Sequence, residues 1–299
     1  MTVTPLTRGD LAAAGRLVIG AGWNQVEADW NLFLEQGEVL ALRAAGGALV
    51  ATAAVLPYPG GFGWISMVLV EKAWQRQGIA GRLLRECIAW LSARHLIPVL
   101  DATPAGRAVY LGLGFCDGWA ITRWRRVVDA SHGGAASSAA RMALTPPPCA
   151  PPPPATDAVH RFAEHDWPDV LALDQSAFGA DRTALLQRLH ARSTEFACVV
   201  RREGRLCGYL LGRDGRHATQ LGPLAASDEA AARNLIEHAI ARIRGTLVID
   251  ALDQHHLLAQ CLQTHGFAVE RPFTRMLLGR DTPFGEAART FAIAGPELG

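Results

Sequence analysis

Lysine is all but missing from this chain. Lys72 is the only one, and arginine supplies the other 28 of the 29 basic residues. Alongside abundant alanine, this reads as genomic base-composition bias. Against 28 acidic residues the formal net charge is +1, too little to draw the protein to a nucleic acid or an acidic membrane surface. The six cysteines are scattered and include no CxxC pair, so neither a disulfide framework nor a zinc site is suggested. No apolar run reaches the ~18 residues of a membrane span. The opening "MTVTPLTRGD" has no basic region leading into an apolar one. The expectation is therefore a soluble cytoplasmic protein.

With 299 residues, 49% of them hydrophobic, the chain can build one large core or two ordinary domains. Proline marks the division. Seven of the 17 lie between Pro146 and Pro154, in an Ala-, Ser- and Gly-rich stretch. Such a stretch buries little and favours extended polyproline II, so residues 131–157 read as a linker between domains at 1–130 and 158–299. The flanks look related. "VLDA" (residues 99–102) and "VIDA" (248–251) each end an apolar run. Helical character follows each, then Gly114-Phe115 or Gly266-Phe267, then Thr122-Arg123 or Thr274-Arg275 seven residues past the Phe. "AAGGALVA" (44–51) and "RREGRLCG" (201–208) both read as a turn entering a strand. Four matched features in one order indicate a tandem repeat of one α/β unit.

In the first half, periodicity predicts helices over 8–20, 25–35, 79–93 and 106–113. Strands are expected over 39–44, 49–55, 64–70, 97–102 and 119–128. This order gives a mixed sheet with helices on it, not a doubly wound unit. Gly78 and Gly81 stand where the third helix begins, although glycine weakens a helix. A helix N-terminus with a bare backbone suits a phosphate. The segment is no P-loop, lacking Gly-Lys-Ser/Thr, and no dinucleotide fingerprint, lacking GxGxxG.

Gln75-x-x-Gly78-x-Ala80, after the apolar "WISMVLV" (64–70), resembles the acyl-CoA motif Q/R-x-x-G-x-G/A of the GNAT superfamily of N-acetyltransferases. "LDATPAGRAVYLGLGF" (100–115) resembles that superfamily's second signature, with Tyr110 four residues before Gly114-Phe115. The whole chain is similar to bacterial proteins with one such domain and a second, diverged one. The resemblance implies an α/β (α+β) fold of two tandem GNAT-like domains, each a mixed, mostly antiparallel sheet flanked by helices. It implies acetyl transfer from acetyl-CoA to a primary amine of a small molecule or peptide. Gln75, Arg76, Gln77, Gly78, Ile79, Ala80 and Gly81 would hold the CoA pyrophosphate, with Arg107 and Lys72 as further phosphate contacts. Met67, Val68, Leu69 and Val70 would splay from the neighbouring strand and pair with the pantetheine arm. A backbone N–H there would polarise the thioester carbonyl. Tyr110 would protonate the departing thiolate. Glu27, Asp29 and Trp30 lie on the early helix that caps the acceptor cleft in this family. Asp101, Glu27 and Asp29 are candidate bases. Thr103 departs from the family's usual Asn seven residues before the Tyr, which leaves pantetheine contacts there open.

Blander readings stand beside these. Tyr110 also fits a buried helix tyrosine, Asp101 a turn starter, and Trp23, Trp30 and Trp64 core fillers. "TRWRRV" (122–127) reads as a solvated strand face. His255, His256 and His265 read as solvated or capping, with no third ligand spaced for a metal, so no metal is expected. In the second half, Gly222-Pro223 and Asp228-Glu229 replace the phosphate loop, and Leu262 replaces the tyrosine. Carboxylates at a helix start would repel a pyrophosphate, so catalysis is expected from the first half alone. The apolar tail "FAIAGPELG" (291–299) is expected to dock. A monomer or homodimer is expected, without nucleic acid or membrane. The alternative function is a non-catalytic acyl-CoA- or metabolite-binding regulatory module.

Overall fold

Near-continuous apolar runs, buried on both faces, make strands such as Leu49–Tyr58 and Phe62–Val70, and 3.6-residue stripes make the helices that cover them. The computed structural model describes residues 2–127 and 158–299; the expected linker lies outside them. The first half runs β1 (Val3–Pro5), α1 (Leu11–Gly20), α2 (Glu27–Gln36), β2 (Glu38–Arg43), β3 (Leu49–Tyr58), β4 (Phe62–Val70), α3 (Ile79–Ser92), β5 (Ile97–Ala102), α4 (Pro104–Leu111) and β6 (Phe115–Arg126). The second half repeats it as β7 (Ala158–Arg161), α5 (Trp167–Phe178), α6 (Thr183–Ser193), β8 (Cys198–Arg202), β9 (Arg205–Arg213), β10 (Thr219–Ala226), α7 (Glu229–Ile240), β11 (Leu247–Leu252), α8 (His256–Thr264) and β12 (Ala268–Leu278). One extra strand follows, β13 (Thr290–Ala292). No helix among the described residues is long and apolar enough to cross a membrane.

The matched turns at residues 44–47 and 203–204 are both positive-φ turns. Gly47 sits at φ 83, and Glu203 and Gly204 at φ 51 and 79. The second is a two-residue hairpin of the primed kind, whose twist matches that of its strands. α3 carries the expected apolar stripe, burying Ile79, Leu83, Leu84, Cys87 and Leu91. Several expected boundaries move: β3 runs on to Tyr58, α1 begins at Leu11 and α4 spans Pro104–Leu111. β4 begins at Phe62 and β6 at Phe115, because pairing with neighbouring strands carries both ladders past the apolar signal.

The two halves do not own separate sheets. One 13-stranded sheet runs β1-β2-β3-β4-β5-β12-β6-β11-β13-β10-β9-β8-β7. The order is a palindrome of equivalent strands, broken once, by β13. At its centre the halves exchange their last strands: β12 lies between β5 and β6, and β6 between β12 and β11. The exchanged strands pack into the opposite core. Met276 of β12 joins the cluster under α3, and Trp124 of β6 joins the cluster around α7. A third cluster spans both halves. In it Phe178 meets Tyr58 edge-on at 4.8 Å, and Phe284 stacks on Phe62 at 4.2 Å.

The repeated Asp-Ala and Thr-Arg elements meet in this exchange. Arg123 of β6 donates two hydrogen bonds of 2.7 Å to Asp250 of β11. Arg275 of β12 donates at 3.0 and 3.1 Å to Asp101 of β5. Asp250 and Asp101 side chains are wholly buried, and the arginines are 8% and 3% exposed. Each half therefore supplies the arginine for the other half's aspartate. The solvated face expected for "TRWRRV" is corrected at Arg123, which the exchange puts inside the sheet.

Such pairs are costly to break, because the surviving charge stays buried. Asp250→Ala is expected to lower the unfolding free energy by about 3–5 kcal/mol. Arg123→Met combined with Asp250→Leu should lose much less. Urea titration of the three proteins checks this, and a loss below about 1 kcal/mol for the single variant, the scale of an exposed pair, would show that the pair is not structural.

Candidate active site

The cleft begins where β4 parts from β5. Their parallel ladder covers only Phe62–Trp64 against Ile97–Val99. Beyond it β5 pairs on its other side with β12. β4 also carries a bulge, with the register against β3 shifting between Ser66 and Leu69. Met67 there adopts φ 51, rare for a residue with a side chain. The Thr52 hydroxyl donates to the Met67 carbonyl at 2.9 Å, which pins the bulge. The β4 edge facing the gap has no strand partner past Trp64 among the described residues, so its backbone is open to an extended ligand. Met67 and Leu69 are buried, and Val68 and Val70 half-buried. Of these four, Met67 and Val68 line the cleft.

The loop from β4 to α3 is exposed at Gln75, Arg76, Gln77, Gly78 and Ala80; Gly81 is half-buried and Ile79 buried. Gln75 ties the loop to the strand by donating to the Val70 carbonyl at 3.0 Å. Gly78 is the N-cap of α3 at φ 75, with no side-chain cap bond. Nothing lies within 4 Å of where its Cβ would be. Glycine is thus required by the backbone turn, and the space outside is clear. The first N–H groups of α3 lack intrahelical partners and carry the positive end of the helix dipole. Lys72 is exposed just before this loop.

Tyr110 lies on α4 and lines the cleft with Asp101 and Thr103. Its ring packs 5.9 Å from Phe115, and a Cβ on Gly106 would come within 3.0 Å of it. Burial raises its phenol above the ordinary 10.0. The hydroxyl has no hydrogen-bond partner among the described residues. Thr103 caps α4, accepting from the Gly106 N–H at 3.2 Å. The cap role suggested for Asp101 thus belongs to Thr103. Asp101 reaches the cleft, but Arg275 holds both its carboxylate oxygens. Burial pushes its pKa up despite that guanidinium. Arg107, its side chain 42% exposed, donates two bonds to Asp117 on β6, one of 2.8 Å.

The early helix does not reach the cleft as expected. Asp29 is buried; it accepts from the Val26 N–H at 2.8 Å and pairs with Arg192 at 2.7 Å and Arg213 at 3.3 Å. Its charge joins the two halves. Trp30, 1% exposed, fills the core, and Glu27 is exposed outside the cleft lining. The preceding loop takes their place with Trp23, Asn24 and Gln25. Asn24 anchors that loop to the second half, donating to the Ala218 carbonyl at 2.9 Å and accepting from the N–H groups of His217 and Ala218. The far wall is Arg123, Arg271, Phe273, Pro296 and Glu297. No local motif announces these residues; the strand exchange and the docked tail bring them in. The tail is held by Tyr58 and Trp64, which donate to the Leu298 and Pro296 carbonyls at 2.7 and 3.0 Å. Arg213 also bonds Glu297.

The second copy of the cleft is closed. β10 and β11 pair in parallel over three residues and then part, like β4 and β5. β13 fills that gap, pairing with β10 at Leu224 and Ala225 and with β11 at Ala251. The N-terminus of α7 is capped by Asp228, which accepts from the Ala231 N–H at 2.9 Å. Although burial opposes it, that bond and Arg202 hold the Asp228 carboxyl below its usual range. Leu262 is fully buried. Around His265 spacing shows no further ligand. The fold brings Glu237, Cys261 and His265 together, with their ligand atoms within 4.8 Å of one another. His265 Nδ1 already lies 2.9 Å from the Cys261 carbonyl, and burial pushes the thiol up to about 11.

Family models agree with this duplication. The acetyltransferase (GNAT) family model matches residues 18–115, and an acetyltransferase (GNAT) domain model matches 170–292. The chain is 27% identical over 254 residues to YitH of Bacillus subtilis, described as an uncharacterized N-acetyltransferase, covering 84% of this chain and 82% of the relative. A candidate acetyltransferase of Pyrococcus horikoshii superposes with a TM-score of 0.74 at 17% identity, over 100% of this chain and 95% of its own. A tandem GNAT protein from the clavulanic acid biosynthesis pathway gives 0.60 at 15% identity, over 92% and 97%. The chain belongs to the GNAT acetyltransferases, as a tandem protein with two copies of that fold in one polypeptide.

Proposed function

We propose that this acetyltransferase uses acetyl-CoA, acetylates a primary amine, and does so in its N-terminal half alone. The observation that carries the reading is the contrast between two equivalent gaps. The β4–β5 gap is open and leads to a bare helix start at Gly78, whereas the β10–β11 gap holds β13 and its helix start holds Asp228.

The residues of the first gap fit acetyl-CoA. Amides of the Gln75–Gly81 segment, freed by the αL turn at Gly78, suit a pyrophosphate. The unpaired edge of β4 suits the amides of a pantetheine arm. Acetyl-CoA supplies an electrophilic thioester. The bulge at Met67 exposes backbone next to where its carbonyl would lie, and an N–H there stabilises developing negative charge. Tyr110, with no competing partner, holds a proton for the thiolate. With Asp101 locked by Arg275, the amine sheds its proton to water, and the cleft contributes by orientation.

Three results are expected. Isothermal titration with acetyl-CoA should show one site per chain, lost in Gly78→Glu; two equivalent sites would overturn the assignment to one half. Tyr110→Phe should bind acetyl-CoA normally while kcat falls by about 10²-fold or more, and unchanged turnover would make the tyrosine structural. The pH profile follows from the same residues. Because burial raises the Tyr110 pKa, its proton is kept as pH rises through 9 and is lost only above the ordinary 10.0. The rate should climb with pH to a limb set by the acceptor's own amine. A limb that stays put when the acceptor is changed would indicate an enzyme base instead.

A further inference from the structure

We infer that the acceptor is an amino carboxylate, its acid group held by Arg271 and its remaining polar atoms by Gln25 and Ser66. The inference rests on the acetyltransferase reading and specifies its substrate class.

The charges of the cleft point this way. Four charged side chains line it: Asp101, Arg123, Arg271 and Glu297. Three have close partners: Asp101 holds Arg275, Arg123 holds Asp250, and Glu297 holds Arg213. Arg271 is different. Its one ion pair among the described residues, to its neighbour Glu270, is 3.9 Å long, beyond a hydrogen bond. Glu270 also takes Arg125 at 3.3 Å. Burial and the adjacent Arg123 lower the Arg271 pKa against the opposing pull of Glu270, Asp250 and Glu297, and the guanidinium, 37% exposed, lies over the Phe273 ring at 5.2 Å with no carboxylate at hydrogen-bond distance among the described residues.

The unmet hydrogen bonds fall in the same place. Six buried side-chain polar atoms lack a partner among the described residues, and Arg271 Nε, Gln25 Oε1 and Ser66 Oγ are three of them. All three residues line this one cleft. Gln25 and Ser66 are each only 8% exposed. Buried polar atoms are seldom left unpaired, and a cluster of them marks where a ligand's polar atoms go. A guanidinium fork matches a carboxylate. With Arg123 already saturated by Asp250, a single available guanidinium suits one negative charge, not a phosphate dianion. The Gln25 amide and Ser66 hydroxyl then face the amine end, beside Met67 and Tyr110. Trp23 and Phe273 supply apolar walls for a side chain.

The test measures acetyl-CoA-dependent acetylation by the whole chain. Its substrates are the twenty protein amino acids, their carboxamides and their decarboxylated amines. At least one amino acid should exceed its carboxamide in kcat/KM by about thirtyfold or more. Arg271→Gln should abolish that preference, mainly through KM, and Arg271→Lys should restore part of it. Equal or better turnover of carboxamides or amines overturns the inference, as does a preference that survives in Arg271→Gln. If no compound is acetylated, titration of the amino acids into CoA-saturated protein decides: binding weakened by Arg271→Gln supports the inference, and no binding at millimolar concentration overturns it. Titration with acetyl-CoA alone separates the two levels. Absent binding overturns the acetyltransferase reading, whereas normal binding without carboxylate preference overturns only the acceptor class.

Discussion

Two buried ion pairs, Arg123 with Asp250 and Arg275 with Asp101, lie at the centre of everything else in this molecule. Each crosses between the halves, so neither buried aspartate finds its arginine in its own half, although Gln220 also donates to Asp250 at 2.9 Å. The exchange of β6 and β12 is the geometric form of that dependence. Desolvating four charges is expensive, and bidentate geometry recovers the cost only when both partners are present. The pairs therefore favour one register of the central strands over any slipped one, since a shift of one residue would turn each charge to the other face.

The active-site cleft is a consequence. Beyond Trp64, β5 leaves β4 and pairs on its other side with β12, which carries Arg275, and the gap opens beside the bulge at Met67. The same pair immobilises Asp101, a carboxylate that lines the cleft. The far wall of the cleft comes from the exchanged strands and the docked tail. An acceptor would thus be read by both halves, although only one has an open cofactor gap.

The second half keeps the fold while its equivalent gap is filled. β13 supplies the backbone hydrogen bonds that an extended ligand would make, and Asp228 supplies the anion that a helix N-terminus attracts. Both replacements come from the chain itself. The apolar residues at 291–294 serve this plug, and Pro296 and Glu297 go on to wall the first cleft.

Much of the fold was legible in order. Periodicity located α3, β4 and β5, and the glycine at residue 78 marked the helix start, because local backbone preferences act over a few residues. The duplication was legible as well, from Asp-Ala, Gly-Phe and Thr-Arg recurring in register. What those repeats do was not legible, since pairing Asp101 with Arg275 spans 174 positions. Glu27, Asp29 and Trp30 carried the right chemistry on the wrong face; packing against Arg192 and the core withdrew Asp29 and Trp30. Gln25, Arg271 and Glu297 bore no local signal, because only the sheet and the tail bring them to one cleft. The sequence by itself determined the repeat, the glycine-bearing helix start at Gly78 and its absence from the second copy, all properties of short contiguous segments. Tertiary structure alone decided that Asp29 and Asp101 are both tied to arginines, which gap is filled and which residues line the open cleft, because each depends on contacts between chain segments more than a hundred residues apart.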